Sequence, residues 1–113
     1  PFMKSVEGRA DDFIVLPNGK LVSPRSVASA VLHASNGVRQ FRIVQETLNS
    51  VRIDLVKEEP FPQNSIIRII AEVKKTLDAS MHVRVEVMDQ IPATKQGKFR
   101  KVVSEVQNKF SYQ

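Results

Sequence analysis

The sequence predicts an α+β domain: a small central antiparallel sheet of about three strands, flanked by helices and preceded by a two-stranded β-hairpin. Three observations carry that prediction. Asn18-Gly19 sits between two short apolar runs, the strongest short-range signal for a hairpin. Three later segments are β-rich, and two of them alternate apolar with polar side chains. Two further stretches repeat apolar residues at the three-and-four spacing of an amphipathic helix. At 113 residues the chain is one domain with room for a single hydrophobic core.

The elements follow in order. Phe13-Ile14-Val15-Leu16 and Lys20-Leu21-Val22 flank Pro17-Asn18-Gly19 and form the hairpin. Ser23 then reads as a helix cap with Pro24 in the first turn; Val27, Ala30, Val31 and Ala34 share one face, and Asn36-Gly37 ends the helix. Val38 to Glu46 and Val51 to Val56 are strands joined by Thr47-Leu48-Asn49-Ser50, so they pair antiparallel. Pro60 and Pro62 break the chain before a long helix from about Asn64 to Ala79, whose stripe is Ile66, Ile69, Ile70, Val73 and Leu77. Met81, Val83, Val85 and Val87 alternate with His82, Arg84 and Glu86 as a third, half-buried strand. A basic loop and tail close the chain. Residues 1–7 carry little pattern and read as the remnant of an interdomain connection, leaving 8–113 as the domain.

Composition narrows the function classes. No apolar run approaches the roughly 18–20 residues needed to span a bilayer, and the first residues lack the layout of a signal peptide. A cytoplasmic protein with no membrane partner is expected. The chain has no cysteine, so it can form neither a disulfide nor a thiolate metal site. His33 and His82 have no neighbouring ligand set, and no metal site is expected. The net charge of +5 is concentrated near the end: Lys95, Lys98, Arg100, Lys101 and Lys109 face Glu105 alone after residue 91. Such a field attracts nucleic acid, an acidic membrane or a nucleotide phosphate, and a solvated C-terminal face is the plain alternative. Base stacking on RNA is poorly served, because Phe41 is the one aromatic residue in the three main strands.

Two short motifs remain. Gly8-Arg9-Ala10-Asp11-Asp12 opens the domain, and Pro92-Ala93-Thr94-Lys95-Gln96-Gly97-Lys98 closes it. The first, followed by an apolar strand, a Gly-containing turn and a Ser/Pro-capped helix, resembles the start of the C-terminal domain of the acyl-adenylate-forming superfamily, which includes acyl-CoA synthetases. The second resembles that superfamily's lysine loop. Within the superfamily, Asp11-Asp12-Phe13-Ile14-Val15-Leu16-Pro17-Asn18-Gly19-Lys20 with Ser23-Pro24 after it is most similar to the phenylacetate-CoA ligase branch and its relatives that adenylate a deazaflavin cofactor.

The resemblance implies a mobile C-terminal domain of an ATP-dependent carboxylic acid–CoA ligase, inactive by itself. Its partner would be the N-terminal domain of the same polypeptide, which would supply the acyl pocket and most contacts to ATP and magnesium. A carboxylate attacks the α-phosphate of ATP to give acyl-AMP and pyrophosphate; coenzyme A sulfur then displaces AMP, and the small domain rotates between the two steps. Lys98 would be the catalytic residue, its compact ammonium bridging the carboxylate and phosphate oxygens. Gly97 would allow close backbone approach and Thr94 would fix the loop. Arg9 would offer a planar fork to phosphate or ribose oxygens, Asp11 would be the hinge, and Asp12 would cap the turn into the strand. Asn18 and Gly19 would face the coenzyme A channel. The sequence departs from the family pattern at Ala93, where many members have Arg or Lys, and at the Pro17-Asn18 turn. The rival reading is a small basic nucleic-acid-binding or regulatory α+β domain.

Overall fold

The computed structural model describes residues 11–93 and 100–106. The hairpin forms as its turn chemistry requires. Strand β1 (Ile14–Val15) pairs antiparallel with β2 (Leu21–Val22), and the Leu16 and Gly19 amides close the turn on Lys20 O and Leu16 O, both at 2.8 Å. Gly19 has φ +90°, a conformation that a side chain resists, which is why glycine follows asparagine here. Helix α1 (Pro24–Ala34) starts where expected: Ser23 Oγ accepts from the Ser26 amide at 3.2 Å, and Val27, Ala30, Val31 and Ala34 are buried.

Strands β3 (Val38–Thr47) and β4 (Ser50–Lys57) form the antiparallel centre of the sheet, with Ile43 opposite Ile53 and Phe41 opposite Leu55. Helix α2 (Ser65–Thr76) is shorter than the periodicity predicts. Residues 77–80 leave the helix for a turn in which Asp78 O accepts the Met81 amide at 3.0 Å. The buried stripe is also narrower, comprising Ile69, Val73 and Leu77, while Ile66 and Ile70 are half-buried. Strand β5 (His82–Val87) follows, with Val83 and Val85 half-buried and Val87 exposed at the sheet edge.

The sheet has four strands in the order β5-β4-β3-β6 and is mixed rather than wholly antiparallel. The crossover through α2 makes β5 parallel to β4, as a strand–helix–strand unit requires. The added strand β6 (Val102–Ser104) lies within the basic tail and runs parallel to β3, Ile43 beside Val102 and Gln45 beside Ser104. Three residues are too short to show a period, so this strand has no local signature.

Side-chain alternation divides the sheet. Phe41, Ile43, Val51, Ile53, Leu55 and Val102 join Val27, Val31, Ile69 and Val73 in one core beneath the helices. The opposite face carries Arg42, Glu46, Arg52, Asp54, Arg84 and Glu86, by the period of two. Among the described residues no helix is long and apolar enough to cross a membrane.

The two helices are linked at a tight corner. Ser35 Oγ donates to Ser65 Oγ at 2.8 Å and accepts from the Gly37 amide at 3.2 Å. A Cβ on Gly37 would lie 2.8 Å from Phe61 Cδ1 and 2.9 Å from the Pro60 carbonyl oxygen. Backbone cannot swing aside as a side-chain tip does, so Gly37→Ala is expected to cost about 1–3 kcal/mol. The measurement is a urea titration, with a lower midpoint at unchanged slope; an unchanged midpoint would show that the 58–61 turn yields freely.

Candidate functional site

Asp11 and Asp12, the described end of the first motif, meet β6, the strand that follows the second motif in sequence. Asp11 Oδ1 accepts from the Lys101 and Val102 amides at 2.8 and 3.1 Å. Asp12 Oδ2 accepts from the Ser104 amide at 2.8 Å and pairs with Arg100 Nη2 at 2.8 Å, while the Asp12 amide donates to Val102 O at 2.9 Å. Carboxylates that take up backbone amides at the start of a strand both satisfy those donors and fix the register of the segment. Residues 11–12 are thereby tied to residues 100–104.

A buried amide reinforces this join. Gln45 is fully buried on the apolar side of β3. Its Oε1 accepts from the Val15 amide at 3.0 Å and from Ser104 Oγ at 2.8 Å, and its Nε2 donates to Val15 O at 2.7 Å. The side chain pairs with Val15 as a peptide group would, replacing ladder bonds that β1 could not otherwise make with β3. A polar residue in the apolar register of Phe41 and Ile43 was a sequence signal for this role.

On the other face, Arg42 reaches both sides of the motif. Its Nη2 donates to Pro92 O at 2.7 Å and its Nε to Arg100 O at 2.9 Å. Strands β5 and β6 occupy opposite edges, and these bonds hold Pro92 and Arg100 to Arg42 on the face without helices. Ile91, Val44 and Val56 are buried although they lie outside the helix-side core. Burial lowers the Arg42 guanidinium from its ordinary value; Asp54 opposes this and Arg100 and Arg52 add to it, and the group stays charged.

The rest of that face is a ladder of ion pairs. Arg52 Nε and Asp54 Oδ1 are 2.8 Å apart, Arg52 Nη1 and Glu46 Oε2 2.9 Å, and Arg84 Nη1 and Glu46 Oε1 3.2 Å. The hydrogen bond to Asp54 is the largest cause raising the Arg52 guanidinium, with burial acting against it. The half-exposed Arg84–Glu46 pair contributes little stability, whereas the Asp54 carboxylate is buried against Arg52.

The residues anticipated from sequence fare differently. Asp11, expected as the hinge, performs the clamp described above. Asp12 reaches beyond a local cap to β6. Asn18 and Gly19 form the exposed hairpin tip, where Asn18 Oδ1 accepts the Lys20 amide at 2.9 Å; the hydrogen bonds of the Asp11 cluster run instead to residues 101 and 102. Arg100, read as nucleotide attraction or a solvated face, is half-buried and paired with Asp12. Arg9, Thr94, Gly97 and Lys98 lie outside the described residues. Arg42 and Ser104 carry no sequence signal, since an arginine on the polar parity of a strand and a serine in a tail are ordinary surface residues.

Known proteins offer two comparisons. The family model of the CapK C-terminal domain matches residues 14–105. Among solved structures, the fold resembles part of a 2-hydroxyisobutyryl-CoA ligase. In that ligase's open conformation with 2-HIB-AMP and CoA, the TM-score is 0.59 at 18% identity, over 83% of this chain and 22% of the ligase. In its thioesterification state with the same ligands, the TM-score is 0.53 at 14% identity, over 90% of this chain and 23% of the ligase. At these identities the likeness is one of fold. The chain thus spans under a quarter of the ligase chains it matches. No curated protein matches it.

Proposed function

The chain belongs to the CapK C-terminal domain family, and from that premise we propose that it is the mobile C-terminal domain of an AMP-forming, ATP-dependent carboxylic acid–CoA ligase of the phenylacetate-CoA ligase type. The observation that carries this reading is the clamp at β6: Asp11 and Asp12 of the first motif hold residues 101–104, which follow the Pro92–Lys98 motif in sequence. A domain that must turn as a unit while presenting one loop needs its entry and that loop's exit to be rigidly connected. The fold shared with part of a CoA ligase supports the same reading.

In this function the acyl pocket, magnesium and most ATP contacts belong to an N-terminal domain of the same polypeptide, and the isolated domain is inactive. Lys98 is the catalytic residue: its ammonium meets the negative charge that builds as the carboxylate attacks the α-phosphate. Gly97 lets the backbone approach, and Arg9 offers its fork to ribose or phosphate oxygens at the junction. Asp11 is the hinge, and the domain turns there before coenzyme A displaces AMP, with Asn18 and Gly19 toward the thiol channel. The reaction belongs to the cytoplasm, with no nucleic acid or membrane involved. Pairing of Arg100 with Asp12 removes part of the basic excess on which the rival nucleic-acid reading depends.

The test is pyrophosphate exchange by the full-length protein with phenylacetate and a panel of aryl and fatty acids. Exchange is expected only with an acid present and best with aryl acids, with AMP release and thioester formation following once coenzyme A is added. No exchange with any acid would sink the ligase reading. Exchange confined to fatty acids would remove the phenylacetate branch, and an adenylated product that never consumes coenzyme A would favour terminal adenylylation.

A further inference from the structure

We propose that Arg42 is a positioning residue that sets the separation and orientation of the two ends of the 93–99 connection by bridging the carbonyls of Pro92 and Arg100. The inference rests on the functional reading above, because the connection matters only if Lys98 does the chemistry there.

The guanidinium is suited to the task. Its donors lie in one plane at fixed angles, so Nε and Nη2 hold two acceptors in a set relation that a flexible ammonium could not impose. Both acceptors are backbone oxygens, so the bridge fixes the course of the chain whatever side chains the connection carries. Arg42 itself sits on a central strand, in register with the buried Asp54 of β4. The far end is held independently, since β6 is clamped by Asp11 and Asp12 and Ser104 donates to Gln45. The near end takes its bond from Arg42 at Pro92 O, next to the buried Ile91. Seven residues separate the two bonded carbonyls in sequence, and closing a chain segment costs less entropy when its ends are already held.

Loss of the bridge has a signature that distinguishes positioning from folding. Pro92 is exposed, so water can replace the lost bond there, and the domain should keep most of its stability. A displaced catalytic group, by contrast, costs on the order of 10- to 100-fold in rate.

The experiment uses the full-length protein with Arg42→Ala, Arg42→Lys and Lys98→Ala. It measures pyrophosphate exchange, thioester formation from preformed acyl-AMP and coenzyme A, and hydrogen exchange of the Ile91, Ala93 and Arg100 amides. Arg42→Ala is expected to speed amide exchange at both ends and to lower pyrophosphate exchange about 10- to 100-fold, leaving the thioester half-reaction within about twofold. Arg42→Lys, able to reach one carbonyl at a time, is expected to fall between. Pyrophosphate exchange that survives Arg42→Ala but not Lys98→Ala overturns the positioning role and leaves the functional reading standing. Exchange that survives Lys98→Ala overturns the functional reading and this inference with it. Equal losses in both half-reactions for Arg42→Ala would show a merely structural arginine, and would also overturn the proposal.

Discussion

Lys98→Ala in the full-length protein is expected to lower pyrophosphate exchange by about 100- to 1000-fold, the scale on which a preorganised electrostatic group acts in a transition state. Thioester formation from preformed acyl-AMP should change by less than about threefold, because on the proposed reading the lysine serves the adenylation step alone. The contrast between the two half-reactions is the informative quantity: a general loss of folding lowers both together. Of the nearby cations that the structure describes, Arg100 and Lys101 have other engagements. Arg100 is committed to Asp12 at 2.8 Å, and the Lys101 amide is held by Asp11 at 2.8 Å, which fixes its backbone in the run into β6. Lys98→Arg should recover only part of the rate, since a planar guanidinium cannot occupy the place of a compact ammonium. Unchanged exchange in Lys98→Ala would remove the lysine from the chemistry and move the binding-module reading up.

Gln45→Leu is expected to be the most destabilising single change at the junction. Leucine fits the apolar surroundings but offers no partner to Val15 N, Val15 O or Ser104 Oγ, all of which bond to this amide. Leaving a buried polar group unpaired costs about 1–3 kcal/mol, so a total of roughly 3–6 kcal/mol is expected, discounted where a group finds another partner. Against a usual domain stability of about 5–15 kcal/mol, this removes a large share. Gln45→Glu should be no better, since it loses the donor to Val15 O and buries a charge. Denaturant unfolding followed by circular dichroism would read the loss as a lower midpoint. A cost below about 1 kcal/mol would mean that the β1–β2 hairpin is not held to the sheet through this residue.

Most of the architecture was legible because it is written locally. The Asn-Gly turn, the Ser23-Pro24 cap, the apolar faces of α1 and α2 and the alternation along β5 each depend on a few consecutive residues, and each appears within a few residues of its expected bounds. The end of α2 is the exception: Leu77 keeps its buried position although the helix stops at Thr76, because an apolar side chain can pack equally well from a turn. The motif singled out Asp11, but that its carboxylate holds the Lys101 and Val102 amides was not legible.

The sequence by itself determined every element but β6, their order, the apolar faces and the two flanking motifs. Tertiary structure decided the direction of the outer strands, the existence of β6, the burial of Gln45 and the two-sided reach of Arg42. The physical reason is range. Helix caps, turns and side-chain periods are set by neighbours within a few residues, whereas β6 is a strand only because β3 lies beside it, and Gln45 and Arg42 find their partners only after the chain has returned across the sheet.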